Sequence, residues 1–221
     1  MEYSFSWGIL FDHALPLIQG VKSTFLLGGG IIGLAMGEGL ILCLLRLSGV
    51  RILSYPALWW IEIFRNVPRI VLLLWAYYCS AIYFKIEFVT PWLAALIALS
   101  LQEGAFTAEI FRAGIEVIHK GEIEAGRSIG LSYLQIMHRI VLPQAIRTTI
   151  PALTNELVWC IKTSTIASII GVSDLLYSTN NLSQVTMHPI EFYAAAAFIF
   201  FLICWSISRL ADYLRKKLSV Y

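Results

Sequence analysis

The sequence predicts an all-α integral membrane protein with five transmembrane helices, and three observations carry that reading. The 221-residue chain is 58% hydrophobic and 14% charged, where a soluble domain carries about 25% charged residues. Its apolar residues gather into five runs, each near the roughly 20 residues that cross a hydrocarbon core. Lys and Arg concentrate at one set of ends of those runs, as they do on the cytoplasmic side of membrane proteins. No Pro/Ser/Gly-rich linker and no repeat divides the chain, so residues 1–221 read as a single transmembrane domain.

The first span runs from about Val21 to Leu45, residues 21–45. It carries Gly29, Gly33 and Gly37, a stripe of small residues that lets another helix approach closely. Arg46 and Arg51 bracket a short loop. Ile52 to Asn66 is apolar but punctuated by Glu62 and Arg65, with Trp59 and Trp60 suited to a headgroup boundary. It reads as an interfacial helix leading into the second span, about 68–84. Pro68 stands near the start of that span, where a proline is tolerated. The third span is about 91–112, from Pro91 to Arg112. A loop of about 113–147 follows, too charged to sit in lipid. The fourth span, about 149–170, is closed by Gly171, and the fifth, about 192–214, is followed by Arg215, Lys216 and Lys217.

Orientation follows from the cations. Arg46 and Arg51, then Arg112, Lys120, Arg127, Arg139 and Arg147, then Arg209 through Lys217, fall on one side. The opposite loops hold Lys85 and, between Gly171 and Glu191, no Lys or Arg. The expectation is an outside N-terminus, a cytoplasmic C-terminus and a cytoplasmic 113–147 loop. Met1 to Asp12 lacks a basic n-region and does not read as a cleaved signal peptide.

Several function classes are disfavoured by residue content. A net charge of +2 with no basic stripe outside membrane flanks argues against nucleic acid. Cys43, Cys79, Cys160 and Cys204 lie in apolar segments without C-x-x-C spacing, and His13, His119, His138 and His188 are scattered, so no metal set is expected. No H-E-x-x-H and no G-x-x-x-x-G-K-[ST] phosphate loop is present, and the one G-x-S-x-G, Gly126 to Gly130, falls in the charged 113–147 loop outside the spans. An intramembrane protease or a self-sufficient channel therefore has no motif behind it.

The 113–147 loop is the most readable segment. Glu122 to Ile129 forms a short helix candidate, with Gly130 where a left-handed C-cap is wanted. Ser132 and Gln135 make a capping box for a second helix. That helix places Tyr133, Ile136, Met137, Ile140 and Val141 on one apolar face until Pro143 interrupts it. The unit is a compact helix–turn–helix knob.

Glu124-Ala125-Gly126, then Gly130, then Ile140-Val141-Leu142-Pro143 resembles the EAA loop of binding-protein-dependent ABC permeases, the polar amino acid uptake family. That pattern is E-A-A, three residues, G, nine residues, I-x-L-P. Gly126 departs from it by replacing the second alanine, which lowers helix propensity by roughly 1 kcal/mol. FRNVP (Phe64 to Pro68), Ala98 to Ile115 and Asn155 to Leu175 also resemble family signatures, so the likeness covers most of the chain from Phe64 to Ser178.

The resemblance implies an ABC type I importer transmembrane domain in a bacterial inner membrane, with no enzymatic activity of its own. It implies three kinds of partner: a cytoplasmic ATPase dimer, a second permease (identical or paralogous), and a periplasmic or lipid-anchored substrate-binding protein. No cofactor is expected on this chain; ATP and Mg belong to the ATPase. Glu124, Ala125, Gly126, Gly130 and Pro143 are the expected coupling residues. The cargo is expected to be a polar amino acid, or alternatively another small zwitterion such as an opine.

Ionisable residues at membrane depth are functional candidates. In the fourth span Asn155, Trp159 and Lys162 share one helical face, and Glu156, Cys160 and Thr163 the adjacent one. Glu156 and Lys162, about 9 Å apart along the axis, are placed to flank an amino acid. Gln102 and Glu103 in the third span join Asn155, Glu156, Lys162 and Thr163 as substrate-binding candidates. Glu109 and Arg112 are read as a structural pair, and Arg65 as a gate or ion pair at the inner interface. Arg69, where the family usually carries an apolar residue, is read as a snorkelling anchor. Glu38 is expected to face a partner subunit. Acids at depth outnumber bases, which favours a cationic or neutral amino acid.

Overall fold

The computed structural model describes residues 4–82 and 90–218, with backbone alone at residue 81 and residues 214–218. All regular structure among them is helical. The order is α1 (Ile9–Asp12), α2 (Ala14–Leu47), α3 (Arg51–Asn66), α4 (Arg69–Ile82), α5 (Pro91–Glu116), α6 (Lys120–Ser128) and α7 (Tyr133–Ile136). A π-turn (Met137–Val141), α8 (Leu142–Ser164), a 3₁₀ turn (Thr165–Ile170), α9 (Leu175–Thr186) and α10 (Pro189–Leu218) follow.

Three helices are long and apolar enough to cross a membrane: α2, α5 and the Pro189–Tyr213 part of α10. Tyr133–Ile170 and α9, bent by 48°, together qualify as a fourth, broken span. The bend falls at Gly171, whose φ of +89° is left-handed and needs no Cβ. Asp174 starts α9 by accepting a hydrogen bond from Tyr177 N at 2.7 Å. α9 thus occupies part of the stretch between Gly171 and Glu191 that the sequence reads as a loop. α4 is apolar but shorter; the expected end of its span at Phe84 and the loop with Lys85 lie outside the described residues.

α5 is the central helix. Thr90 caps it by accepting from Leu93 N at 3.2 Å, with Pro91 at its first position. Leu99, Ala95 and Ala98 pack with Leu27 and Ile31 of α2, Leu73 of α4, and Cys160 and Ala167 after it. The glycines that permit this packing are not the expected stripe. A Cβ at Gly28 would stand 2.6 Å from Ile161 Cδ1, and one at Gly39 would stand 2.8 Å from Thr107 Cβ and 2.9 Å from the Ala108 nitrogen. Gly29, Gly33 and Gly37 meet nothing within 4 Å. Small residues lie all around α2, so the sequence alone offered several stripes and the fold selected one.

Gln102 resolves a local backbone problem. Pro68 has no N–H, and the chain breaks between α3 and α4 there. The Gln102 side-chain amide, buried in α5, donates to Phe64 O at 2.9 Å and Val67 O at 2.6 Å. Those carbonyls would otherwise lack partners inside the bundle.

The knob forms as expected at its turn. Gly130 N donates to Arg127 O at 2.9 Å and Leu131 N to Gly126 O at 3.1 Å, a Schellman motif with Gly130 at φ +82°. Ser132 and Gln135 close the capping box. Ile118, Ile136, Val141 and Ala145 form its small core, flanked by Met137 and Ile140. Two expectations need correction. Tyr133 is exposed, outside that core. Pro143 does not end the helix: the π-turn just before it absorbs the missing hydrogen bond, and the chain runs on into α8. Gly126 is buried, and a Cβ there would lie 2.9 Å from Ile140 Cδ1, so its small size serves close packing of α6.

Candidate functional site

α5 carries Glu103, Phe106, Glu109 and Arg112 at three-residue intervals, a row that winds around the helix. It looks toward α8, which brings Glu156 and Trp159, and toward the α3–α4 break, which brings Arg65 and Arg69. An open cavity of ≈ 550 Å³ lies here, lined among others by Arg65, Phe106, Glu109, Thr148, Thr149 and Glu156.

At the deeper end, Arg69 Nε donates to Glu103 Oε1 at 2.9 Å and its Nη2 to Oε2 at 3.4 Å. Its guanidinium also lies over the Phe106 ring at 5.1 Å and the Trp159 ring at 5.2 Å, within range of cation–π attraction. Arg69 is therefore turned inward, and the snorkelling expectation is wrong. A buried acid one helix away offers the guanidinium more than the interface does, because an unpaired Glu103 at 0% exposure would be costly. Glu103, Glu156 and Cys160 each offer a donor atom within 4.8 Å of the others. Glu156 Oε1 is buried and accepts no hydrogen bond among the described residues.

At the other end, Glu109 is a charge node. It bonds Arg46 of α2, accepts from Arg112 Nη2 at 2.7 Å, and stands 3.8 Å from Arg65 Nη1. Arg112 also pairs with Glu116. The structural role expected for Glu109 and Arg112 holds. Arg65 also lies over the Phe106 ring, 5.4 Å from its centroid, so two guanidiniums share one ring.

The expected substrate residues separate. Glu103 and Glu156 come together. The Gln102 amide nitrogen is engaged by the α3–α4 break, with its Oε1 left unpartnered among the described residues. Asn155 is exposed and Thr163 buried, and neither lines the cavity. Lys162 is exposed in a different groove, against Phe200, Phe201, Cys204 and Trp205 of α10. It does not flank Glu156 as the axial spacing implied, because six residues along a helix place the two side chains on different faces. Glu38 accepts from Trp60 Nε1 at 2.8 Å, and its carboxylate fills the space above Gly104, where a Cβ would be 2.5 Å from Oε2. The sequence reading missed Phe106, Trp159 and Arg46 as parts of the site. Phe106 was legible, three residues from both Glu103 and Glu109; Arg46 was not, because only the fold brings the end of α2 to α5.

Among the coupling residues, Glu124, Ala125, Gly130 and Pro143 are exposed and Gly126 is buried. Ile129, Tyr133 and Leu134 beside them are also exposed.

Comparison with known proteins places these features. Residues 29–220 match the family model for binding-protein-dependent transport system inner membrane components. The chain is 34% identical over 220 residues to the probable amino-acid ABC transporter permease protein YckA of Bacillus subtilis (strain 168), covering 100% of this chain and 96% of that protein. It is 34% identical over 212 residues to the nopaline transport system permease protein NocM of Agrobacterium fabrum, covering 91% and 87%. A solved crystal structure of an amino acid ABC transporter with histidines superposes with a TM-score of 0.91 at 28% identity, over 97% of this chain and 100% of that one.

Proposed function

This chain belongs to the family of binding-protein-dependent transport system inner membrane components, and on that premise we propose that it passes a polar amino acid along the charged cavity between α5 and α8. It is the permease subunit of a type I ABC importer, a multi-pass integral membrane protein, and the ATPase of such systems is a separate subunit. The chain is one transmembrane domain, residues 1–221, in a bacterial inner membrane. Five spans cross it: α2, α4, α5, α8 with its 3₁₀ extension, and α10. The N-terminus is outside and the C-terminus cytoplasmic, in keeping with the placement of Lys and Arg.

The knob at α6–α7 is the docking element for the ATPase dimer. Exposed Ile129, Tyr133 and Leu134 form a small apolar patch beside Glu124 and Ala125, the kind of surface that a partner covers. A second permease and a substrate-binding protein complete the assembly. The chain holds no cofactor; ATP and Mg act on the ATPase.

The observation that carries the transport reading is the pairing of opposite charges in one open cavity. Arg65 and Glu156 both line it. Glu156 receives the α-ammonium, through an oxygen that accepts no other hydrogen bond among the described residues, and Arg65 receives the carboxylate as a charge-assisted pair. Phe106 and the Thr148–Thr149 turn accommodate the remainder. In proteoliposomes holding the full transporter, Glu156→Gln lowers amino acid uptake at least about tenfold, the factor that 1.4 kcal/mol represents, while the ATPase stays bound. Uptake at the unaltered rate refutes the assignment. The likeness to NocM supports a second reading, an opine as cargo. Competition for uptake between amino acids and opines separates the two.

A further inference from the structure

Glu156 lines the cavity and Glu103, fully buried, stands behind it within reach, yet the two acids differ in what already holds them. Glu103 is bound along one edge of the Arg69 guanidinium at 2.9 and 3.4 Å. Arg69 is itself clamped between Phe106 and Trp159 at 5.1 and 5.2 Å. Glu156 has a buried oxygen that accepts no hydrogen bond among the described residues. One guanidinium thus stands beside two carboxyl groups.

We propose that the Arg69–Glu103 pair sets the charge of the substrate side chain that this cavity accepts. Arg69 occupies Glu103 and leaves Glu156 as the single acceptor for a positive group. A zwitterion with an uncharged side chain supplies one ammonium and satisfies it. A dibasic substrate brings a second cation to a place where Arg69 already stands, and like charges at close range disfavour each other strongly in a medium of low dielectric. An acidic side chain would face two carboxylates with the one guanidinium already engaged. The preferred cargo is thus a neutral polar amino acid, such as glutamine, in preference to arginine or glutamate. Arg69 acts through Glu103 and is a positioning residue. The inference rests on the reading of Glu156 as the ammonium site.

The pair can be dissected by charge. The readout is direct binding of labelled glutamine, arginine and glutamate to the permease–ATPase complex in nanodiscs, with the binding protein omitted so that its own selectivity does not intervene. Arg69→Leu frees Glu103 and is expected to raise the arginine-to-glutamine affinity ratio at least tenfold. Glu103→Gln frees the Arg69 guanidinium and is expected to raise the glutamate-to-glutamine ratio by a similar factor. The double replacement Arg69→Leu with Glu103→Leu removes both charges and is expected to restore a glutamine preference. A pair that merely held the bundle together would weaken all three substrates alike and would not swing in opposite directions.

If Arg69→Leu fails to fold because Glu103 is left buried and alone, Glu103→Gln and the double variant still decide the matter. A glutamate-to-glutamine ratio in Glu103→Gln within threefold of the unmodified protein, or a double variant that loses the glutamine preference, overturns the inference. Glu156→Gln distinguishes the two levels of failure. If it leaves binding of all three amino acids intact, the ammonium-site reading falls. If it abolishes binding while the charge variants leave the ratios unmoved, only the role of the Arg69–Glu103 pair falls.

Discussion

Replacing Gly130 probes the link between the knob and the motor without touching the transport cavity. Gly130 sits at φ +82°, and a Cβ placed there meets nothing within 4 Å. A substitution is therefore penalised by backbone conformation and not by crowding. Holding an L-residue in the left-handed region costs about 1–2 kcal/mol. If the turn instead relaxes to negative φ, it gives up the bonds from Gly130 N to Arg127 O and from Leu131 N to Gly126 O, each contributing about 1 kcal/mol. Either route bounds the penalty near 2 kcal/mol, which reduces the correctly formed turn by up to about 30-fold. The expected order is Gly130→Asn mildest, since Asn tolerates this region, then Gly130→Ala, with the β-branched Gly130→Val worst. The assay is substrate transported per ATP hydrolysed in proteoliposomes, with capture of the ATPase by the permease measured in parallel. Gly130→Val is expected to lower the ratio sharply and Gly130→Asn only slightly. If Val couples as well as Gly, or if Asn is as damaging as Val, the backbone argument is wrong.

Two further perturbations test the packing. Gly39→Val drives a branched side chain onto Thr107 Cβ and the Ala108 nitrogen and is expected to destabilise by about 1–3 kcal/mol, whereas Gly33→Val, which meets nothing within 4 Å, is expected to stay within about 0.5 kcal/mol. Thermal unfolding in detergent compares them, and equal losses would contradict the assignment of faces on α2. Gln102→Leu removes the donor to Phe64 O and Val67 O and is expected to cost about 1–3 kcal/mol; protease sensitivity at the α3–α4 break, measured beside the melting temperature, should rise, and an unchanged profile would count against this role.

The membrane class, the all-helical fold and the knob were legible because they depend on local or compositional facts. A run of apolar residues near 20 long has few fates other than a membrane or a large core. A glycine followed by Ser132-x-x-Gln135 specifies its own turn and cap, since every group in the motif lies within a few residues. The hydrogen bonds of that turn are the ones the spacing required. What periodicity misjudged was local structure coupled to distant packing. Pro143 looked like a helix end, but a π-turn on the knob core carries the helix past it. Glycines 29, 33 and 37 looked like a contact stripe, but α5 and α8 approach α2 over Gly39 and Gly28.

The site divides along the same line. Sequence by itself determined which charges must be accounted for, because an ionisable group inside a bilayer cannot remain without a partner or a task. It also assigned Glu156 and Lys162 to the same helix, at a known axial separation. Only the tertiary structure decided the partners. Arg69 and Glu103 are 34 residues apart in the chain, and Arg46 and Glu109 are 63 apart. No spacing rule reaches over such distances. The pairs form because burial of α5 at the centre of the bundle takes its acids away from water, and each draws in whichever guanidinium the neighbouring helices deliver.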